Sequence, residues 1–151
     1  MTLSANALLL VEKVAEFNAG RTGALRELWA EDGVWHAAGD NAASGDFRGR
    51  DACGQWFVDT AEILGGQCHV EVRDVLSDDD YVVFFNHVRA TRDGAVLDQV
   101  HMDAWRFEGG LAVEGWFLPD DVAVWDAFVG ARPEGAAASR ARRVSRPRSA
   151  G

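Results

Sequence analysis

The sequence predicts an α+β fold in which three helices pack against a cone-shaped, curved sheet, antiparallel for most of its strands. Three observations carry this. Helical periodicity dominates from Ser4 to Leu64, interrupted by one short strand. From Cys68 to Leu118 four strand-like segments follow one another with no helix between them, as in a meander. Two dipeptides in that run, Asp93-Gly94 and Gly109-Gly110, are tight-turn signals, because both residues of such a turn adopt positive φ.

Each element has its own reason. Ser4 to Asn18 fits an amphipathic helix with Leu8, Val11, Ala15 and Phe17 on its apolar side, stopped by Asn18-Ala19-Gly20. Thr22 is placed to cap a short second helix, Ala24 to Ala30, which turns Leu25, Leu28 and Trp29 inward. Gly33 to Ala37 is a short strand, and Ala38 to Gly45 is a loop rich in Gly, Asn, Ala and Asp. Asp51 is the expected cap of a third helix, about Ala52 to Leu64, ended by Gly65-Gly66. The sheet proper starts at Cys68, with Val70, Val72 and Leu76 alternating against His69, Glu71 and Arg73. A loop at Asp78-Asp79-Asp80 leads to the next strand and pairs Leu76 with Val82. The last strands are Tyr81 to Arg92, Ala95 to Phe107 and Leu111 to Leu118, and Asp120 to Val129 forms a final short helix or an arm over the sheet.

The two turns set the register, and the register says which side chains meet. With Asp93-Gly94 as the whole loop, Arg92 pairs with Ala95, Val88 with Gln99, Asn86 with His101, Phe84 with Asp103 and Val82 with Trp105. With Gly109-Gly110 as the next loop, Trp105 faces Glu114, Asp103 faces Trp116 and His101 faces Leu118. One face then mixes Val82, Phe84, Val88, Trp105, Trp116 and Leu118 with Asn86, Gln99, His101, Asp103 and Glu114. The other face is also partly apolar. Two such faces predict a lined cavity on one side and a helix or a second subunit on the other.

Composition narrows the class. A chain of 151 residues, 48% hydrophobic and 26% charged, reads as one soluble domain, residues 1–130, followed by an Ala/Arg-rich extension, residues 131–151. The extension has too little apolar content to fold and is expected to be disordered. It holds six arginines and one glutamate, so the net charge of −9 hides an acidic domain. Without the extension 9 basic residues stand against 23 acidic ones, a net of −14. That excess speaks against nucleic acid as a partner. No apolar run reaches the roughly 18 residues of a membrane span. No basic segment precedes Leu8-Leu9-Leu10, so a cytoplasmic protein with no membrane partner is expected. Cys53 and Cys68 match no metal spacing and read as small core residues of a reducing compartment.

Four stretches have a familiar look: Leu28-Trp29-Ala30-Glu31-Asp32-Gly33-Val34-Trp35-His36, Gly45-Asp46-Phe47-Arg48-Gly49-Arg50-Asp51-Ala52, Asp93-Gly94 between long strands, and Gly110-Leu111-Ala112-Val113-Glu114-Gly115-Trp116 with Asp120 beyond it. The pattern resembles the SnoaL-like, ketosteroid-isomerase-like families of the nuclear-transport-factor-2-like superfamily, over about residues 5 to 129. The resemblance implies a cystatin-like α+β barrel with a deep apolar pocket, and a homodimer packed through the outer sheet face. It leaves the activity open among isomerases, cyclases, dehydratases, epoxide hydrolases and non-catalytic binders. The epoxide-hydrolase members use an Asp-Arg-Asp arrangement; here the corresponding positions look like Gln99, His101 and Leu118, with no inward arginine. Polyketide cyclases with an acidic base, and scytalone-dehydratase-like members with histidines and an Asp-His pair, are closer in type to His36, His101 and Asp103.

The chemistry of the shared face points the same way. A carboxylate at Asp103, between Phe84 and Trp116, is desolvated, which raises its pKa and suits it to take a proton next to a carbonyl. His101, two residues along the same face, is expected to share that proton or to have its tautomer fixed by Asp103. Asn86, opposite His101, is expected to orient the imidazole or donate to a developing enolate oxygen. His36 reaches the same cavity if the Val34 side of its strand is inward. The expected protein is therefore a cofactor-independent isomerase, polyketide-cyclase-like or dehydratase-like enzyme acting on a hydrophobic carbonyl compound. Asp103, His101 and His36 are its expected catalytic residues, and Asn86, Phe84, Gln99, Trp105, Trp116, Glu114 and Val82 surround the substrate. Two histidines and a carboxylate are a known metal set, but no local spacing supports one here, and no metal is expected. The alternative is a non-catalytic ligand-binding or dimerisation module of the same fold.

Overall fold

Ser4 caps the first helix, α1 (Ala5–Asn18), by accepting a hydrogen bond from the Ala7 N–H at 3.1 Å. The computed structural model describes residues 2–65 and 68–132. The expectations for Gly66 and for residues 133–151 lie outside the described residues. The buried side of α1 is Ala7, Leu10, Val14 and Phe17, not the side of Leu8, which is 58% exposed. Leu8 and Leu10 stand about 200° apart around the helix, so only one can face the core. Asn18 ends the helix and both donates to Val70 O and accepts from Val70 N, tying α1 to the sheet.

The expected second helix is one 3₁₀ turn, Ala24–Leu28, with Gly23 rather than Thr22 at its N-cap and no side-chain cap bond. The chain leaves it directly into β1 (Trp29–Ala37), earlier than the expected start at Gly33. A short strand that the sequence reading left within a connecting segment, β2 (Gly45–Arg48), pairs antiparallel with β1 and sets His36 opposite Asp46. Helix α2 (Arg50–Ile63) follows Gly49, whose φ of 95° ends the strand abruptly; Asp51 sits in the first turn instead of capping it. Then come β3 (His69–Ser77), β4 (Tyr81–Arg92), β5 (Ala95–Glu108), β6 (Leu111–Pro119) and α3 (Val122–Val129). Asp121 caps α3 by accepting from the Val124 N–H.

These strands form one mixed six-stranded sheet in the order β2-β1-β6-β5-β4-β3, parallel only between β1 and β6. Asp93 (φ 50°) and Gly94 (φ 81°) form the β4–β5 turn, and the whole β4–β5 register is the expected one. The neighbouring pairs each slip by one residue at a bulge. In β6, Val113 is the extra residue between Arg106↔Glu114 and Phe107↔Ala112, so Asp103 faces Phe117, His101 faces Pro119 and Trp105 faces Gly115. In β3, Arg73 is the extra residue, so Val75 turns inward and Leu76 pairs with Val83 and is 48% exposed.

The core lies between the sheet and the helices. Trp29, Trp35 and Trp105 are fully buried there, with ring centroids 5.0–5.8 Å apart. Gly115 makes this possible: a Cβ at that position would lie 2.6 Å from Trp35 Cε3 and 3.1 Å from a Trp29 ring carbon. Arg132, assigned above to the extension, donates to the carbonyls of Asn41 and Ser44 and holds the 38–44 loop. No helix among the described residues is long and apolar enough to cross a membrane.

Candidate active site

Strands β4 and β5 present Phe84, Asn86 and Val88 beside Asp103 and His101 on the face that α1, α2 and α3 cover. Together they enclose a cavity of about 70 Å³. Trp56 and Phe57 of α2, Trp105, Phe117 and Trp125 make most of the remaining wall, with Val14, Phe17 and Leu25 behind them. The polar side chains that line it are few: Thr60, Asn86, His101 and Asp103, besides the thiol of Cys68 and the indoles of Trp56, Trp105 and Trp125. Burial pushes the Cys68 thiol up to about 11, which keeps it a neutral wall group.

Asp103 is the unusual group. The residue retains partial exposure, but its Oδ1 has none and meets no donor among the described residues. Its Oδ2 accepts from Asn86 Nδ2 at 3.0 Å. Burial raises its pKa from 3.8 to about 7, and the Asn86 bond only partly offsets that. A carboxyl group poised at neutral pH takes and returns protons with little driving-force penalty in either direction.

His101 is held differently. Its Nε2 lies 2.7 Å from Gln99 Oε1, and the Gln99 amide donates to Asp121 O at 3.3 Å. The Gln99 oxygen can only accept, so Nε2 carries the hydrogen and Nδ1 is a bare acceptor. Burial lowers the His101 pKa from 6.5 to about 4, so the ring is neutral at pH 7. Phe117 and Trp125 pack edge-on against it at 4.9 and 5.0 Å. It is Gln99, not Asp103, that fixes this tautomer, and Asn86 turns its donor to Asp103 rather than to the open cavity.

The structure thus brings Phe84, Asn86, His101, Asp103 and Trp105 together. Gln99 stands behind His101, and Val82 is fully buried away from the cavity wall. Three expected residues lie elsewhere. The bulge at Val113 turns Glu114 and Trp116 to the outer face, and Leu118 with them, 42% exposed. His36 follows, because Trp35 takes the inward position on β1. On that outer face each His36 ring nitrogen lies 2.7 Å from a carboxylate, Nδ1 from Asp46 and Nε2 from Glu114, and the ring stacks on Trp116. These four residues border an open depression of about 430 Å³. His36, His101 and Asp103 therefore do not converge, and among the described residues no group of three His, Cys, Asp or Glu side chains is placed to hold a metal. His87 is 8% exposed on the outer face, bonded to Arg73 and Asp98.

Thr60, Phe57, Trp56, Phe117 and Trp125 escaped the sequence reading as site residues. Thr60 had a signal, since it stands three and four residues after Phe57 and Trp56, on one helical face. Phe117 had none, because a bulge is invisible to a period-two count.

Residues 11–115 match the family model described as the SnoaL-like domain. The chain belongs to the SnoaL-like family. A curated relative by sequence is the uncharacterized Mycobacterium tuberculosis protein Rv0034, 36% identical over 100 residues, covering 66% of this chain and 76% of that protein. Among solved structures, Bal32a from a soil-derived mobile gene cassette matches with a TM-score of 0.76 and 30% identity, over 83% of this chain and 96% of that one. IdmH of Streptomyces antibioticus, described as a candidate polyketide cyclase, matches with a TM-score of 0.65 and 22% identity, over 84% and 99%. The last likeness concerns the fold alone.

Proposed function

We propose that this protein is a cofactor-independent enzyme that isomerises, cyclises or dehydrates a hydrophobic carbonyl compound, with Asp103 as the proton-transferring group. The observation that carries the reading is Asp103 Oδ1, a carboxylate oxygen buried in an aromatic-walled cavity with no donor to it among the described residues. In the reaction Asp103 takes a proton from the carbon next to the carbonyl. The C–H electron pair moves toward the carbonyl carbon and the π pair onto oxygen, giving an enolate. Asp103 then holds the proton and returns it to carbon or to a leaving group. Neutral His101 contributes an acceptor, and the aromatic walls exclude water, which strengthens every charge interaction inside.

The test is deuterium uptake from D₂O at the carbon next to the carbonyl, measured on a panel of ring ketones by proton NMR. Wild-type protein catalyses uptake and Asp103→Asn loses it by a factor on the order of 10² to 10⁴. Uptake that survives the substitution, in a protein whose fold is intact, removes Asp103 from the chemistry. Binding of ring ketones without uptake favours a non-catalytic binding module.

The outer sheet face supports a second element of the proposal, a homodimer. Leu76, Tyr81 and Leu118 are 48%, 44% and 42% exposed on that face, and a second copy would cover them. Sedimentation at micromolar concentration gives a dimer if so, and Leu118→Glu shifts it to monomer.

A further inference from the structure

The unsatisfied polar atoms on the sheet wall of the cavity are mostly acceptors, with the buried indole N–H of Trp105 as an unpartnered donor beside them. Asp103 Oδ1 and Asn86 Oδ1 are shut off from solvent and meet no donor among the described residues. His101 Nδ1 carries no hydrogen, since that of the ring is on Nε2, engaged with Gln99. All three accept, Asp103 Oδ1 in the ionised form of the carboxyl group. The one amide donor nearby, Asn86 Nδ2, is committed to Asp103 Oδ2. Asn86 and His101 are direct register partners, so their Cβ atoms lie roughly 5 Å apart, and Asp103 follows about 7 Å along the strand.

A carbonyl oxygen placed beside Asn86 Oδ1 and His101 Nδ1 would meet two acceptors. A donor for it lies across the cavity on α2, where the Thr60 hydroxyl is buried and has no partner among the described residues. Buried polar atoms without partners cost free energy that a complementary ligand returns. The ligand that does so carries a hydroxyl at one end and a carbonyl at the other. Size adds a limit. A cavity of about 150 Å³ takes up benzene. The one here is about 70 Å³, so a single ring enters only as the helix wall moves outward, and fused rings are disfavoured.

We propose that the substrate is a compact, single-ring hydroxyketone whose hydroxyl donates its one hydrogen to the acceptor pair of Asn86 Oδ1 and His101 Nδ1, to one or the other at a time, and whose carbonyl oxygen accepts from Thr60. This leaves Asp103 Oδ1 beside the carbon between those two groups. The assignment of Asp103 rests on the function proposed above; the hydroxyl subsite at Asn86 and His101 stands independently of it.

The experiment is a chemical-shift titration with ring compounds of matched shape. Phenol and toluene differ by a hydroxyl in place of a methyl group, and 4-hydroxycyclohexanone is compared with cyclohexanone. Phenol binds at least tenfold more tightly than toluene, although toluene is the more hydrophobic, and the hydroxyketone outbinds the ketone. Asn86→Leu and His101→Phe each bring the phenol-to-toluene ratio toward one. The wild-type comparison stands whether or not those variants fold. Equal affinities, or tighter binding of toluene, overturn the proposal, since solvent would then be serving these acceptors. Selectivity for phenol without ketone exchange supports the subsite and removes the catalytic reading; exchange without selectivity does the reverse.

Discussion

The two faces of the sheet each carry a histidine and carboxylates, and they treat them in opposite ways. On the outer face both ring nitrogens of His36 are engaged at 2.7 Å, by Asp46 and by Glu114, and Arg106 stands 3.8 Å from Glu114. Under the helices, among the described residues, His101 has one neutral hydrogen-bond partner, Gln99, and Asp103 has one, Asn86. The outer cluster pairs its histidine and carboxylates with one another. The inner group is desolvated and left incomplete, which is how a site holds free energy for a ligand or a proton.

The sharpest way to break this comparison is kinetic. Asp103→Asn costs on the order of 10² to 10⁴ in ring-ketone exchange, whereas Glu114→Gln changes it less than about threefold. Comparable losses from both would mean that the outer cluster takes part in the reaction.

Stability against pH is the next largest effect. Asp103 has a folded pKa of about 7 against 3.8, so the folded state holds a proton that the unfolded state has lost between those values. Its contribution therefore falls as pH rises from about 4 to 7, by about 4 kcal/mol in all. His101 has a folded pKa of about 4 against 6.5, so the unfolded state binds the extra proton, and its contribution rises with pH over about 4 to 6.5, by about 3 kcal/mol. The two slopes nearly cancel in the wild type. Urea unfolding across this range shows stability rising with pH in Asp103→Asn and falling in His101→Gln. Parallel profiles for the two variants would contradict the burial of both groups.

Smaller effects test the register that separates the faces. Gly115→Ala drives a methyl group into Trp35 and costs about 1–3 kcal/mol in urea unfolding. His36→Ala removes the contacts with Asp46 and Glu114 at a partly exposed position and costs about 1 kcal/mol, with ring-ketone exchange unchanged.

The fold was largely legible because its signals are local. Turn chemistry at Asp93-Gly94 placed twelve residue pairs of β4 and β5 correctly, and with them Asn86, His101 and Asp103. What failed was where one extra residue enters a strand. Val113 and Arg73 carry no propensity that marks a bulge, and each inverts the alternation beyond it. That single shift exchanged Trp116 for Phe117 as the wall beside Asp103. His36 failed because Val34 and Trp35 are both apolar, and only the Trp29–Trp35–Trp105 packing decides which of them is inward. The role of Gln99 was hidden for another reason, since its hold on His101 depends on Asp121 O from the start of α3.

The most direct test is the titration of Asp103 itself, followed by the carboxyl ¹³C shift of selectively labelled protein, with Asp103→Asn as the assignment control. A midpoint near 7 is expected for this carboxyl group. A midpoint near 4 would mean that water or a cation reaches Asp103, and the inner face would then be no more than a packed wall.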